Sequence, residues 1–176
     1  GISKALFLFR ERELEHKFIL EQSLSKKNKY NIYDIGSNIG YYMMIFNKLT
    51  NKDSKIIAIE PVKSNFSLLN DNIKINKVKN VISFNCAISD NLGEKEIYLS
   101  EYSNLNTFHN YGSVKKKLDG KLEKVQLKTI EEIYNLTKLE PNIIRMDVEG
   151  HEVEILNSLI LLINKYKFNP KILFEI

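Results

Sequence analysis

A single cysteine, three prolines, seven glycines and no tryptophan occur in 176 residues. One thiol cannot close an intrachain disulfide, so nothing marks an oxidising compartment and a cytoplasmic location is the default. So little proline and glycine excludes collagen-like and linker-like architectures. Long apolar runs are missing as well. ALFLF gives way at once to RERELEHK, and SLILLI falls far short of the ~20 residues a bilayer crossing needs, so no spanning segment, signal peptide or membrane partner is expected. Nor does one charge dominate. Lys plus Arg number 26 against 22 Asp plus Glu, a formal +4, less than a dedicated nucleic-acid binder carries. The joint abundance of Lys, Asn and Ile is explained by base composition as well as by a selected basic face.

What is present is an ordinary globular composition, 43% hydrophobic and 27% charged, in a length that suits one domain. The chain opens on Gly1 and closes on the strand-like KILFEI, so a fragment of a longer protein is expected.

Apolar residues at helical spacing (Leu6, Phe9, Leu14, Phe18, Leu20, Leu24) predict an amphipathic helix, which with its linker takes residues 1–28. Residues 29–176 form the main domain. NIYDI and KIIAIE are short apolar runs of the kind parallel strands show when both faces are covered, and YYMMIFNKL between them is helical. A helix is predicted over 64–76 with Ser64 as its cap, then a third strand over NVISFNCAIS and a short extra strand after Gly93. The polar stretch 101–123, with its VKKKLDGK run, reads as a loop or insertion. TIEEIYNL and HEVEILNSLILLINKY are helices, while NIIRMD and KILFEI are strands, with Pro141 and Pro170 shortly before them. Strand and helix alternate, so a doubly wound α/β domain is expected, a mostly parallel sheet with helices on both faces.

In such a sheet ligands bind beyond the carboxyl ends of the strands, where the strand order reverses. DIGSNIG is the first such turn. Gly36 permits a backbone shape closed to other residues, Gly40 allows close approach of the next helix, and Ser37 or Asn38 can cap that helix, whose amides favour an anionic group. Asp34 offers a charge for a cationic amine. Glu60, ending the second strand, is placed to accept two ribose hydroxyls. A nucleoside joined to a zwitterionic amino acid satisfies both turns, and S-adenosylmethionine is such a molecule. A nicotinamide dinucleotide is the rival, but its G-x-G-x-x-G fingerprint has glycine where Asn38 stands.

YDIGSNIGYY, IIAIEPVKSNFSLLNDNIKIN, NVISFNCAISDNLGEKEIYL and IIRMDVEGHEVEIL, in this order, resemble the FkbM family of S-adenosylmethionine-dependent methyltransferases from about Ile32 to Ile176. DVEGHE is the most specific part. The resemblance implies a Rossmann-like methyltransferase fold and methylation of an oxygen on a sugar, polyketide or other small metabolite. It also implies cofactor contacts from Asp34, Gly36, Ser37, Asn38 and Gly40 at the methionine end, from Glu60 at the ribose, and from Asn85, Cys86 and Ala87 near the adenine. The sequence departs from the family at Ser37, where alanine is common, and at Arg145, where lysine is common. The family fold continues past the fifth strand with a helix and two more strands, which this sequence lacks.

Asp147, Glu149 and His151 put three titratable groups at the mouth of the proposed cleft. Methyl transfer from a sulfonium is an in-line displacement, so alignment is the main demand, and a hydroxyl acceptor also gains from a base. Asp147 and His151 are the candidates, with Glu149 beside them; the bland reading places Glu149 and His151 at a helix start, where acidic residues are favoured. His109 could serve an acceptor loop, and His16 is expected to be solvated. No metal is expected. A small-molecule or glycan acceptor is the expected partner, nucleic acid is not, and the oligomeric state is open. Two other readings stand: a non-catalytic nucleotide-binding module, and a nucleic-acid methyltransferase, against which DVEG replaces the Asn/Asp-Pro-Pro-aromatic run that holds a flipped base.

Overall fold

A computed structural model describes residues 14–100, 106–108 and 118–174. In chain order the elements are α1 (Leu14–Ser23), β1 (Asn31–Ile35), α2 (Tyr41–Leu49), β2 (Lys55–Ile59), α3 (Lys63–Ile75), β3 (Val81–Phe84), β4 (Ala87–Ile88), β5 (Gly93–Ser100), β6 (Leu118–Lys128), α4 (Ile130–Thr137), β7 (Ile143–Met146), α5 (Glu152–Tyr166) and β8 (Lys171–Phe174). Five strands pair in parallel in the order β3-β2-β1-β7-β8. From β1 the chain winds outward through β2 to β3, then returns to the other side of β1 at β7, so the reversal lies between β1 and β7.

Both faces of this sheet are covered, which is why its strands read as unbroken apolar runs. Ile32, Ile56 and Ile143 point toward α1, α2 and α3, where Leu20, Phe46 and Leu69 meet them. Tyr33, Ile57 and Ile144 point the other way, onto Ile133 of α4 and Ile155 and Leu159 of α5. Leu20 and Leu24 thus seat the described part of the first helix on the sheet, while residues 1–13 and the side chain of His16 lie outside the described residues. The Thr129 hydroxyl accepts the Glu132 N–H at 3.1 Å and caps α4, with Glu131 and Glu132 in the first turn to favour the helix dipole.

Three expectations are corrected. NVISFNCAIS is not one strand: after β3 the chain breaks at Asn85, whose Nδ2 donates to the carbonyls of Glu60 and Pro61, both at 2.9 Å. The break redirects Ala87 and Ile88 into a second sheet, β4-β6-β5, where β4 runs parallel to β6. Residues 118–123 are not loop but the first half of β6, an antiparallel partner of β5 from Gly93↔Leu127 to Ser100↔Leu118. Alternation along that pair buries Ile97 and Val125 against Val62 and Ala87, a pattern the surrounding polar residues obscure. Ser64 does not cap α3. Val62 holds the cap position, and the exposed Lys63 N–H is taken by Glu123 Oε1 of β6 at 2.9 Å. Residues 109–117, including His109, lie outside the described residues. Among the described residues, no helix is long and apolar enough to cross a membrane.

Candidate active site

The carboxyl ends of β1, β2 and β7 converge on one cleft of about 790 Å³, counting the part that opens to solvent. Its floor is the turn after β1. Gly36 and Gly40 both take left-handed backbone, φ 77° and 90°. A Cβ on Gly36 would stand 2.1 Å from the Asp147 carbonyl oxygen, so the turns after β1 and β7 touch backbone to backbone and only glycine fits between them. A Cβ on Gly40 would meet Leu69 Cδ1 of α3 at 2.7 Å.

The turn satisfies itself with hydrogen bonds. Ser37 Oγ donates to the Asp34 carbonyl at 2.7 Å and accepts the Ile59 N–H at 3.1 Å, stitching β1 to β2. The Asn38 N–H goes to Glu60 Oε2 and the Ile39 N–H to Asn38 Oδ1, each at 2.8 Å. Gly36 and Ser37 donate to the Ile59 carbonyl, and Gly40 to that of Ser37. The expectation that Ser37 or Asn38 caps α2 is therefore corrected. Gly40 is the cap residue, without a side-chain bond, because both polar side chains are spent inside the turn.

Glu60, only 4% exposed, is the second fixed point. Its carboxylate accepts the N–H groups of Asn38 and, at 3.0 Å, Val62, and lies 3.4 Å from Asn65 Nδ2. Burial pushes this carboxyl up to about 7, against the opposing pull of those donors. Beside it Val62, Cys86, Ala87, Ile88 and Ile97 form an apolar slot. Burial drives the Cys86 thiol up to about 12, so it lines that wall as a small apolar group.

Across the reversal point, Arg145 is the organiser. Asp34 and Arg145 are register partners on β1 and β7, on the face covered by α2. The Arg145 guanidinium donates to Asp34 Oδ1 at 3.1 Å, to the Gly36 carbonyl at 3.3 Å and to Asp147 Oδ2 at 2.7 Å, and its carbon lies 3.9 Å from the centre of the Tyr42 ring. Burial opposes its charge, but Asp34 and Asp147 more than offset that and raise its pKa above the ordinary value. Burial raises the Asp34 carboxyl, opposed by Arg145.

Beyond Asp147 the chain turns through Glu149 and Gly150, both left-handed with φ 51° and 96°. It delivers His151 to the start of α5, 2% exposed, with Nδ1 3.4 Å from Glu154 Oε2 and its ring 4.6 Å from that of Phe108. The Thr107 hydroxyl donates to the Glu149 carbonyl at 2.8 Å, which fastens the 106–108 segment over this turn.

Of the residues singled out in the sequence, Gly36, Ser37, Asn38, Glu60, Cys86, Ala87, Asp147, Glu149 and His151 all line the cleft. Asp34, Gly40 and Asn85 do not. Asp34 is fully buried beneath the turn as the partner of Arg145, Gly40 faces α3, and Asn85 braces the turn after β2. Tyr41, Phe108 and Arg145 line the cleft without having been chosen. An arginine inside the apolar run IIRMD was a legible signal of a buried partner; Phe108, in a polar stretch, gave none.

This donor set fits S-adenosylmethionine. A carboxylate beside an apolar slot suits a ribose and its adenine, and Asp147 and Glu149 line the same cleft across the strand reversal.

The family model described as Methyltransferase FkbM domain matches residues 34–176. A solved structure of an FkbM methyltransferase from Methylobacillus flagellatus KT aligns with a TM-score of 0.57 at 18% identity, over 83% of this chain and 32% of its own. The precorrin-6y C5,15-methyltransferase of Geobacter metallireducens GS-15 aligns with a TM-score of 0.50 at 13% identity, over 85% of this chain and 56% of its own. The chain thus spans about a third of the length of the first structure and somewhat over half of the second. Both likenesses are of fold. No curated protein matches the sequence.

Proposed function

The chain belongs to the FkbM methyltransferase family, and we propose that it transfers a methyl group to a hydroxyl oxygen of a sugar or other small metabolite. Its cofactor is S-adenosylmethionine, which when bound supplies an electrophilic methyl group on a sulfonium. The observation that carries the proposal is a single cleft. The carboxylate and apolar slot suited to a nucleoside lie on one side of the strand reversal, and Asp147, Glu149 and His151 on the other.

In this reading Glu60 accepts the ribose hydroxyls through the lone pairs its backbone donors leave unused, and the slot around Ala87 and Ile97 takes the adenine. The Gly36 turn sets the depth of the floor. Asp147 is held in place through Oδ2 by Arg145. Glu149 and His151, which line the same cleft, are the proton acceptors in this reading, and Phe108 lies against the His151 ring.

Calorimetric titration of S-adenosylmethionine, with NAD as a control, into the chain and its Glu60→Ala variant tests the cofactor half. Saturable binding of S-adenosylmethionine alone, weakened by the substitution, supports it; binding of NAD instead sinks it. Methyl transfer to a panel of hydroxylated acceptors tests the rest. Cofactor binding with no transfer to any acceptor would favour a non-catalytic binding module instead.

A further inference from the structure

The amino end of the parallel sheet is rich in lysine and poor in acids. At the amino ends of the strands, five helix-to-strand connections cover residues 24–30, 50–54, 76–80, 138–142 and 167–170. They hold eight exposed lysines (three in the first at Lys26, Lys27 and Lys29, then Lys52, Lys77, Lys79, Lys138 and Lys167) against two acids, Asp53 and Glu140. At the carboxyl ends, the turns 36–40, 60–62, 85–86 and 147–151 hold Glu60, Asp147 and Glu149 and no lysine or arginine. A lysine-rich base composition alone would not thin the acids at one end. Helix dipoles favour a cation just after a helix, but they do not account for Lys26, Lys27, Lys29, Lys52 or Lys79 together. Lysine also holds the left-handed position at Lys77 (φ 52°), Lys138 (φ 57°) and Lys167 (φ 61°), where glycine would be unstrained.

We propose that this lysine edge docks the protein on an anionic lipid surface, with the cleft facing away from it. Three features favour lipid over nucleic acid. The five connections end one sheet side by side and present a broad edge rather than a groove. Their cations are all lysine, point charges that suit mobile headgroups, and none has the fork that arginine uses on a base edge or phosphate. Among the charges stand two exposed apolar residues at helix ends: Ile75, 75% exposed beside Lys74, and Leu136, 60% exposed near Lys138. Such residues enter a headgroup boundary. This is docking rather than spanning, so the absence of a long apolar helix among the described residues does not bear on it.

The test is co-sedimentation of the full chain with vesicles of phosphatidylcholine alone and of phosphatidylcholine mixed with phosphatidylserine, at low and high salt. Binding should require phosphatidylserine and disappear at high salt, because exposed charges are screened within roughly 8 Å at physiological ionic strength. Each lysine near an anionic surface is worth roughly fivefold in affinity, so changing Lys26, Lys27 and Lys29 together to Glu should weaken binding by at least about a hundredfold. A second variant, Lys52→Glu with Lys79→Glu, should act likewise, and Lys63→Glu, near the cleft end, should change little. Equal binding to both vesicle types, no loss in either edge variant, or equal loss in Lys63→Glu would overturn the proposal. So would tighter, equally variant-sensitive binding of RNA or DNA, which would make nucleic acid the occupant. No arm of the test depends on cofactor binding, so its result stands apart from that of the proposed activity.

Discussion

Asp34 and Arg145 lie side by side in register on β1 and β7, joined at 3.1 Å, with Asp34 fully buried and Arg145 5% exposed. The same guanidinium reaches the Gly36 carbonyl and Asp147, so a buried ion pair ties together the two turns that frame the cleft. Breaking such a pair from one side leaves an uncompensated buried charge, which costs about 3–5 kcal/mol. Arg145→Met is therefore expected to lose stability of that order in urea denaturation. Arg145→Lys should lose less, because it keeps the charge but cannot serve three acceptors from a planar fork. A loss for Arg145→Met within about 0.5 kcal/mol, the range of an ordinary surface change, would show that the pair does not brace the turns.

Gly36→Ala should be far more damaging than Gly40→Ala. At Gly36 the added carbon meets the fixed backbone oxygen of Asp147, whereas at Gly40 it meets the flexible end of Leu69, and left-handed strain of ~1–2 kcal/mol applies to both. The expected outcome is a Gly36→Ala protein that fails to fold or loses cofactor binding altogether, beside a folded Gly40→Ala protein. Thermal denaturation with cofactor titration decides it, and equal behaviour of the two would refute the backbone-contact account.

Glu60 makes stability depend on pH. Its carboxyl rises from 4.5 to about 7 on folding, chiefly through burial, so between those values the folded chain holds a proton that the unfolded chain releases. The contribution of Glu60 to stability is then greatest below pH 4.5, falls as pH rises through the window and levels off above about 7, by about 3 kcal/mol in all. Ribose hydroxyls donate to the ionised form, so cofactor affinity should move the opposite way, tightening toward pH 7 with proton release. Urea denaturation at both ends of the window, and calorimetry in buffers of different ionisation enthalpy, should show both trends, and Glu60→Gln should flatten both.

The layered fold was legible because apolar runs such as KIIAI and helical periodicity such as YYMMIFNKL report burial directly. The second sheet was legible only at β5, the extra strand after Gly93. β4 is two residues long and hidden behind Asn85, and the hairpin of β5 and β6 buries only alternate residues amid charge. In the cleft, Glu60 and Gly36 could be placed from strand ends alone. The partnership of Asp34 with Arg145 depends on which strands are neighbours across 111 positions, which no local pattern states.

That partnership separates the roles of Asp147 and His151. Asp147 gives one carboxylate oxygen to Arg145, while the His151 imidazole lies against Phe108 at the cleft wall. If His151 is the acceptor's base, His151→Gln should lower turnover by ~10²–10⁴-fold and shift cofactor affinity by only a few fold. Asp147→Asn removes the charge that pairs with Arg145 between the two turns of the cleft, so it should weaken cofactor binding and turnover together. Measuring both quantities for both variants separates the two cases. If Asp147→Asn alone lost turnover at unchanged affinity, the base would be Asp147, and Arg145 would have to release it during the reaction.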